Sequence, residues 1–277
     1  MTQVATVADW APRLSVSLLT RLVSFTRSAF VMTVVENPLT WKLGIRGSNE
    51  MDDIEGPFYI LGAPQRQIED GKAVMASTEY LKKYGPFLFI FEVKDEKGEP
   101  VPHATLDWWQ ADTDGGYYFA SWTLRGKVTT DANGRVEVLS VRPGDYGNKL
   151  LGERAGHVHL IVNGTKGKHR AMTTQAYICP GNRSEHMMKD VYVLSIRAES
   201  NTKADDGNAP SRPINMATCY SIPAANGGEK YWELPELPAD DTETASRVSW
   251  WNAKLKERGV DRQVLGVGRH ELKLSTL

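Results

Sequence analysis

The sequence predicts a mainly β protein: an antiparallel β-sandwich core with an N-terminal helical segment and a short C-terminal helix. Three observations predict it. From Phe87 to Ile196, short segments rich in aromatic and β-branched residues follow one another closely. Turn-forming residues separate them, at Asp95–Gly98, Asp131–Gly134 and Asn163–Gly164. Helical spacing of apolar residues is confined to the two ends of the chain. Many short strands joined by short turns fold as a sandwich or barrel, and 277 residues can form one substantial core without demanding a second domain. No internal repeat of fixed period is present.

Taken in order, Leu14, Leu18, Leu22, Phe25, Ala29 and Met32 recur at helical spacing from Leu14 to Val35, before Asn37-Pro38 ends the pattern. The apolar stripe could dock on its own domain or on a partner subunit, and the subunit contact is favoured, so residues 1–50 are expected to form a helical dimerisation segment and 51–277 a catalytic sandwich with a C-terminal extension. Phe87–Lys94 reads as a strand, and the turn at Asp95–Gly98 predicts a hairpin whose return strand is Ala104–Gln110. Strands follow at Leu124–Thr130, Arg135–Val141, His157–Val162, Arg170–Ile178 and Val191–Ile196. Glu199–Pro213 is polar and proline-containing, a loop. Asp240–Glu243 resembles a capping box, and Val248, Trp251 and Leu255 share one face before Gly259, which predicts a helix packed on the sandwich.

Composition excludes several functions. Thirty-three basic residues nearly cancel 34 acidic ones, without a basic run, so nucleic acid and anionic membranes are not expected partners and a small molecule is. Two cysteines are too few for a disulfide framework, and no secretory leader pattern opens the chain, so a reducing cytoplasm is the expected address. Arg21 and Arg27 interrupt the apolar segment near the start, which argues for an amphipathic helix and against a membrane span.

The chemistry concentrates at His157-Val-His159. On a strand, residues i and i+2 leave from the same face, so both imidazoles stand side by side while the valine packs behind. Tyr146, on a proline and glycine turn just upstream, offers an anionic oxygen, and a second is expected at Tyr117. Phenolates beside imidazoles favour a hard ion such as ferric iron over zinc or calcium.

Ile54–Tyr59, Asp107–Asp112 with Gly115–Tyr117, Leu124–Gly126, Thr130–Gly134, Pro143–Tyr146, His157–His159 and Thr173–Gln175 occur in a fixed order that resembles the intradiol ring-cleavage dioxygenases, which include catechol, hydroxyquinol and protocatechuate dioxygenases. The resemblance spans roughly Ile54 to Tyr177. It implies a mononuclear non-haem Fe(III) held by Tyr117, Tyr146, His157 and His159. It also implies a catechol-type diol that binds the iron as a dianion and displaces Tyr146, which accepts a proton. Dioxygen then cleaves the ring between the two hydroxyl-bearing carbons, giving a dicarboxylate of the maleylacetate or muconate type. Arg154 matches an arginine beside the substrate, Gln175 a supporting glutamine on the neighbouring strand, and Phe58 and Leu61 a segment lining the ring pocket.

Hydroxyquinol is the first substrate expected and catechol or a substituted catechol the runner-up. The chain departs from the family pattern in Arg154-Ala-Gly-His157, where the proline after the arginine is replaced, and in glycine instead of proline after Tyr146. After Tyr177 the resemblance fades. Two rivals remain: a non-catalytic β-sandwich binding module stacking sugars on Trp108-Trp109 or Trp250-Trp251, and a site holding zinc or ferrous iron on the two histidines.

Overall fold

The computed structural model describes residues 9–43, 47, 49–148, 152–188 and 214–277. Two sheets face each other. One has six strands in the order β1-β2-β6-β3-β12-β11: β1 Gln67–Glu69, β2 Lys72–Val74, β3 Phe87–Asp95, β6 Arg135–Ser140, β11 Thr218–Ser221 and β12 Gly266–Leu274. The other has four, β10-β9-β4-β5: β4 Thr105–Gln110, β5 Arg125–Thr129, β9 His157–Asn163 and β10 Met172–Tyr177. A separate two-stranded ribbon joins β7 Tyr146–Asn148 to β8 Gly152–Arg154. The four-stranded sheet is antiparallel throughout, as expected; the six-stranded sheet is mixed, because β12 runs parallel to β3 and β2 parallel to β6.

Alternation along the strands builds the core. Phe87, Phe89, Phe91 and Val93 of β3 meet Leu106 and Trp108 of β4 and Val158, Leu160 and Val162 of β9 between the sheets. The alternate residues Leu88 and Ile90 point outward, under Val248, Trp251 and Leu255 of the C-terminal helix. β3 is therefore covered on both faces, which is why it reads as a continuous apolar run. On β9 the odd positions His157 and His159 project from the outer face of the four-stranded sheet, where the candidate site lies.

The Asp95–Gly98 turn forms, with Asp95 Oδ1 accepting from the amides of Lys97 and Glu99. Its expected hairpin does not: β3 and β4 belong to opposite sheets, and β4 pairs with β5 and β9. The turn at Asp131–Gly134 likewise sends the chain across, from β5 to β6. Tight turns serve an arch between sheets as well as a hairpin, and the turn residues look alike in both.

The helices are α1 Leu18–Phe30, α2 Pro38–Lys42, α3 Thr78–Tyr84, α4 Ser184–Met188 and α5 Thr242–Glu257. α5 forms one residue later than the Asp240–Glu243 box indicates: Asp241 is the N-cap and accepts from the Thr244 amide, and the buried face is Thr244, Val248, Trp251 and Leu255. Trp251 Nε1 donates to buried Glu137 of β6 at 2.8 Å, and Arg247 pairs with the same carboxylate.

α1 starts four residues later than its apolar pattern, because Ser15 bridges to Ser121 in extended form and Ser17 caps the helix. It continues as a π-helical turn, Val31–Val35, before Asn37 caps α2. The span Leu18–Val35 is long and apolar enough, by composition alone, to cross a membrane. Its orientation is inverted relative to an ordinary amphipathic helix. Ser24 and Ser28 are buried, whereas Leu18, Leu22 and Phe25 are 74%, 60% and 71% exposed. The strand expected at 191–196 and the loop expected at 199–213 lie outside the described residues.

Candidate metal centre

β4, β9 and β10 supply the floor of the site. Register places Trp109 opposite His159 and His159 opposite Gln175, so these three side chains share one face in a row. Trp109 stacks on His159, centroids 4.8 Å apart and nearly parallel. His157 Nδ1 lies 2.6 Å from the Ala155 carbonyl, which fixes the tautomer with the proton on Nδ1 and leaves Nε2 as an unprotonated donor atom. The Nε2 atoms of His157 and His159 converge to 3.0 Å. Burial pushes both imidazoles well below their usual pKa; Arg154 acts the same way on both, and His157 adds to the effect on His159. Both rings are neutral, as metal ligation requires.

Two loops carry the tyrosines over this floor. Asp112 gathers the first loop, accepting from the amides of Asp114 and Gly116 and from the Tyr118 hydroxyl. Tyr118 thus turns away toward Asp112 and Tyr80, while Tyr117 turns inward. The second loop rests on the first: the Gly144 amide donates to the Asp112 carbonyl at 2.8 Å, and a Cβ at Gly144 would lie 2.2 Å from the Thr113 oxygen. Gly147, next to Tyr146, has φ +98°, a region closed to the proline usual there in the family pattern.

The rings of Tyr117 and Tyr146 come to 5.2 Å, Tyr146 and His157 to 5.5 Å, and Tyr117 and His159 to 6.2 Å. The four residues expected to hold a metal are thereby gathered around one point. Burial holds the Tyr117 phenol well above its usual pKa, Tyr146 adding to the rise and Arg154 and Arg125 opposing it. Its hydroxyl is buried without a hydrogen-bond partner. A buried, unpartnered phenol beside two neutral imidazoles is what a bound trivalent cation would satisfy, drawing off the phenol proton. The donor set of two tyrosines and two histidines thus fits ferric iron. Among the described residues, no group of three or more His, Cys, Asp or Glu is gathered in a way that could hold a metal ion.

Arg154 is 5% exposed and donates to Tyr146 Oη at 3.2 Å, Gln175 Oε1 at 2.7 Å and Tyr177 Oη at 3.1 Å. Gln175 Nε2 in turn donates to the Ile54 carbonyl at 2.8 Å. Phe58 packs on Tyr117 at 4.3 Å and on Tyr146 at 6.0 Å. Leu61 stands apart, half-buried, with its amide donating to Ser24 Oγ of α1. A cavity of about 300 Å³ opens beside Tyr146 and Arg154, with Asp145, Glu153 and His186 at its rim.

Sequence reasoning missed three neighbours. Tyr177 completes the Arg154–Gln175 network with its ring 5.2 Å from His157. Trp109 was read as part of a motif and as a candidate for sugar stacking, not as the ring beneath His159. Arg125, its pKa lowered to about 10 by burial, donates to the carbonyls of Phe58 and Tyr118 and so ties pocket wall to tyrosine loop. Period-2 spacing from Gln175 could have flagged Tyr177, and Arg125 lies within the Leu124–Gly126 segment of the ordered set, which marks the position but not its role. Trp108, Trp109 and Trp251 are buried and offer no face for sugar stacking.

Comparison with known proteins gives the family and the fold. Residues 54–212 match the family model described as Dioxygenase. The chain is 31% identical over 144 residues to a catechol 1,2-dioxygenase of Pseudomonas sp. (strain EST1001), covering 44% of each chain. It is 26% identical over 174 residues to a hydroxyquinol 1,2-dioxygenase of Corynebacterium glutamicum, covering 57% of this chain and 54% of that one. The chain spans about half the length of the curated relatives it matches. The crystal structure of 3-chlorocatechol 1,2-dioxygenase from Rhodococcus opacus 1CP superposes with a TM-score of 0.55 at 21% identity, covering 92% of this chain and 87% of that one, which shows the shared fold.

Proposed function

The chain belongs to the intradiol dioxygenase family, and from that premise we propose that it cleaves a catechol-type diol with dioxygen, using Fe(III) held by Tyr117, Tyr146, His157 and His159. The observation that carries this reading is the convergence of two neutral imidazoles and two phenols on one point, one phenol buried without a partner. Bound there, ferric iron would act as a Lewis acid and template that draws electron density from the diol.

The residues divide the remaining work. Tyr117 sits on a loop fastened by Asp112, and its hydroxyl is buried. Tyr146 belongs to the two-stranded ribbon outside both main sheets and lines the open cavity. Of the two phenols that would hold the iron, Tyr146 is therefore the one whose Oη is open to a diol and placed to receive a proton from it. Arg154, adjacent to that oxygen, keeps a fixed positive charge where negative charge develops on the ring. Gln175 and Tyr177 hold the guanidinium in place, and Phe58 walls the ring.

Within this reading hydroxyquinol is the first substrate and catechol or a substituted catechol the second. The Asp145 and Glu153 carboxylates lining the cavity suit a third, neutral hydroxyl and oppose a ring carboxylate. The exposed apolar face of α1, with Leu18, Leu22 and Phe25, supports pairing with a second copy, and a cytoplasmic setting suits this chemistry.

The test is a visible spectrum of the purified protein with iron quantified, before and after anaerobic addition of hydroxyquinol or catechol and again on admitting air. A red protein whose band shifts with diol and bleaches as product forms is the expected result. A protein that stays colourless after ferric reconstitution overturns it in favour of a binding module or another metal.

A further inference from the structure

The inner face of α1 does not pack as an apolar stripe; Arg27 and Ser24, with Glu36 just past the helix, meet the segment 55–61 through polar and ionic contacts. Arg27 forms a bidentate pair with Glu55, whose side chain is 4% exposed, with Nη2 to Oε2 at 2.9 Å. Glu36, just beyond the π-helical turn, accepts from the amides of Glu55 and Gly56. Ser24 accepts from the Leu61 amide at 3.0 Å.

This segment is the roof of the metal centre. A Cβ on Gly56 would lie 3.5 Å from His159 Cε1, and Phe58 packs on Tyr117. Arg27 also heads a column of stacked groups ending on a metal ligand. Its guanidinium lies 4.8 Å from the Tyr59 ring, Tyr59 lies 4.9 Å from Trp109, and Trp109 stacks on His159.

We propose that α1 is part of the substrate-recognition apparatus: Arg27 and Glu36 are positioning residues that hold the Glu55–Tyr59 wall against the ring site. The physical case is one of cost. A seven-residue connection with no strand of its own, residues 55–61, lying over a sheet, has freedom to lift unless its amides and its buried carboxylate are paired. α1 and the turn after it supply the partners of the Glu55 carboxylate and of the Glu55, Gly56 and Leu61 amides, while Arg125 and Gln175 of the sandwich hold the Phe58 and Ile54 carbonyls from the other side. A helix whose apolar side faces outward thus has a reason to keep Arg27 and Glu36 inward. The proposal rests on the ring-cleavage reading for its consequence in turnover, but the fastening itself is a property of the metal-free chain.

The experiment uses the full chain with Glu36→Ala, the conservative Glu36→Gln, and Ser24→Ala as the milder variant should Glu36→Ala fold poorly. Hydrogen exchange of the metal-free protein is read at the amides of 54–61 and, as an internal control, in β9 and β10. Losing a charge-assisted acceptor is expected to speed exchange at Glu55 and Gly56 by about tenfold or more, with β9 and β10 unchanged and Glu36→Gln in between. In the iron-loaded enzyme, KM for the diol is expected to rise about five- to tenfold with kcat within about twofold, because a loosened wall weakens binding without touching the reacting atoms. Unchanged exchange at 54–61 overturns the proposal, as does faster exchange with an unchanged KM. If the wild-type protein neither binds nor turns over diols, the ring-cleavage reading fails, and the exchange comparison still decides whether α1 holds the wall.

Discussion

Replacing Arg154 by methionine tests the electrostatic core of the proposed mechanism. The guanidinium is almost wholly buried and reaches Tyr146, Gln175 and Tyr177. Methionine keeps most of the volume and removes the charge. Gln175 Oε1 retains the Tyr177 hydroxyl at 2.9 Å and Gln175 Nε2 retains Ile54, so neither end of the glutamine is left without a partner. The structural loss is therefore about 1–2 kcal/mol, a few degrees in Tm. The catalytic loss is larger, because a preorganised donor aimed at developing charge contributes about 3–4 kcal/mol, or two to three decades of kcat. The assay is oxygen uptake with hydroxyquinol and catechol, alongside iron content and the visible band. Iron is expected to stay bound while kcat falls by about 10²- to 10³-fold. An iron-loaded variant within about threefold of wild type would refute the placement of Arg154 beside the reacting ring. Iron lost in proportion to activity would show instead that Arg154 serves the metal through Tyr146.

His157→Ala removes a proposed ligand whose tautomer is set by Ala155, and it is expected to lose iron, colour and turnover together, measured by metal analysis and absorbance. Trp251→Ala opens a cavity under α5 and breaks the bond to Glu137, which is expected to cost about 3–5 kcal/mol in a denaturant titration while the purified metal centre keeps its colour. In the metal-free protein, His157 and His159 are held neutral by burial, so below about pH 6.5 the unfolded chain binds protons that the native chain refuses. Stability is then expected to fall as pH falls, by up to about 1.4 kcal/mol per pH unit for each imidazole, and His159→Gln should flatten the slope of a melting series.

Elements with a local cause were legible in the chain. The FLFIF run of β3, the His-Val-His alternation of β9 and the capped, one-faced pattern of α5 each report a period set by the backbone itself. The metal-ligand candidates could be named for the same reason, since two sit at i and i+2 on one strand and their partners lie in recognisable motifs. The sequence reading missed β12, which lies beside β3 in the larger sheet, because its segment Gly266–Leu274 mixes glycines and charges and is stabilised by neighbours far along the chain. The pairing of β3 with β12 instead of β4 was equally invisible, since a turn specifies a reversal and not which sheet receives the chain.

By itself, then, the sequence determined the sandwich class, the helix at each end and the residue types proposed to hold a metal, because these follow from periodicity, capping and donor chemistry within short windows. Only the tertiary structure decided that loops at Tyr117 and Tyr146 stack through Asp112 and Gly144, and that Tyr177 braces Arg154. It also decided which way α1 faces. An apolar stripe predicts inward packing when the surface beneath it is apolar, but here that surface carries a buried Glu55 and open amides, so Arg27, Ser24 and Glu36 turn inward and leucines turn out.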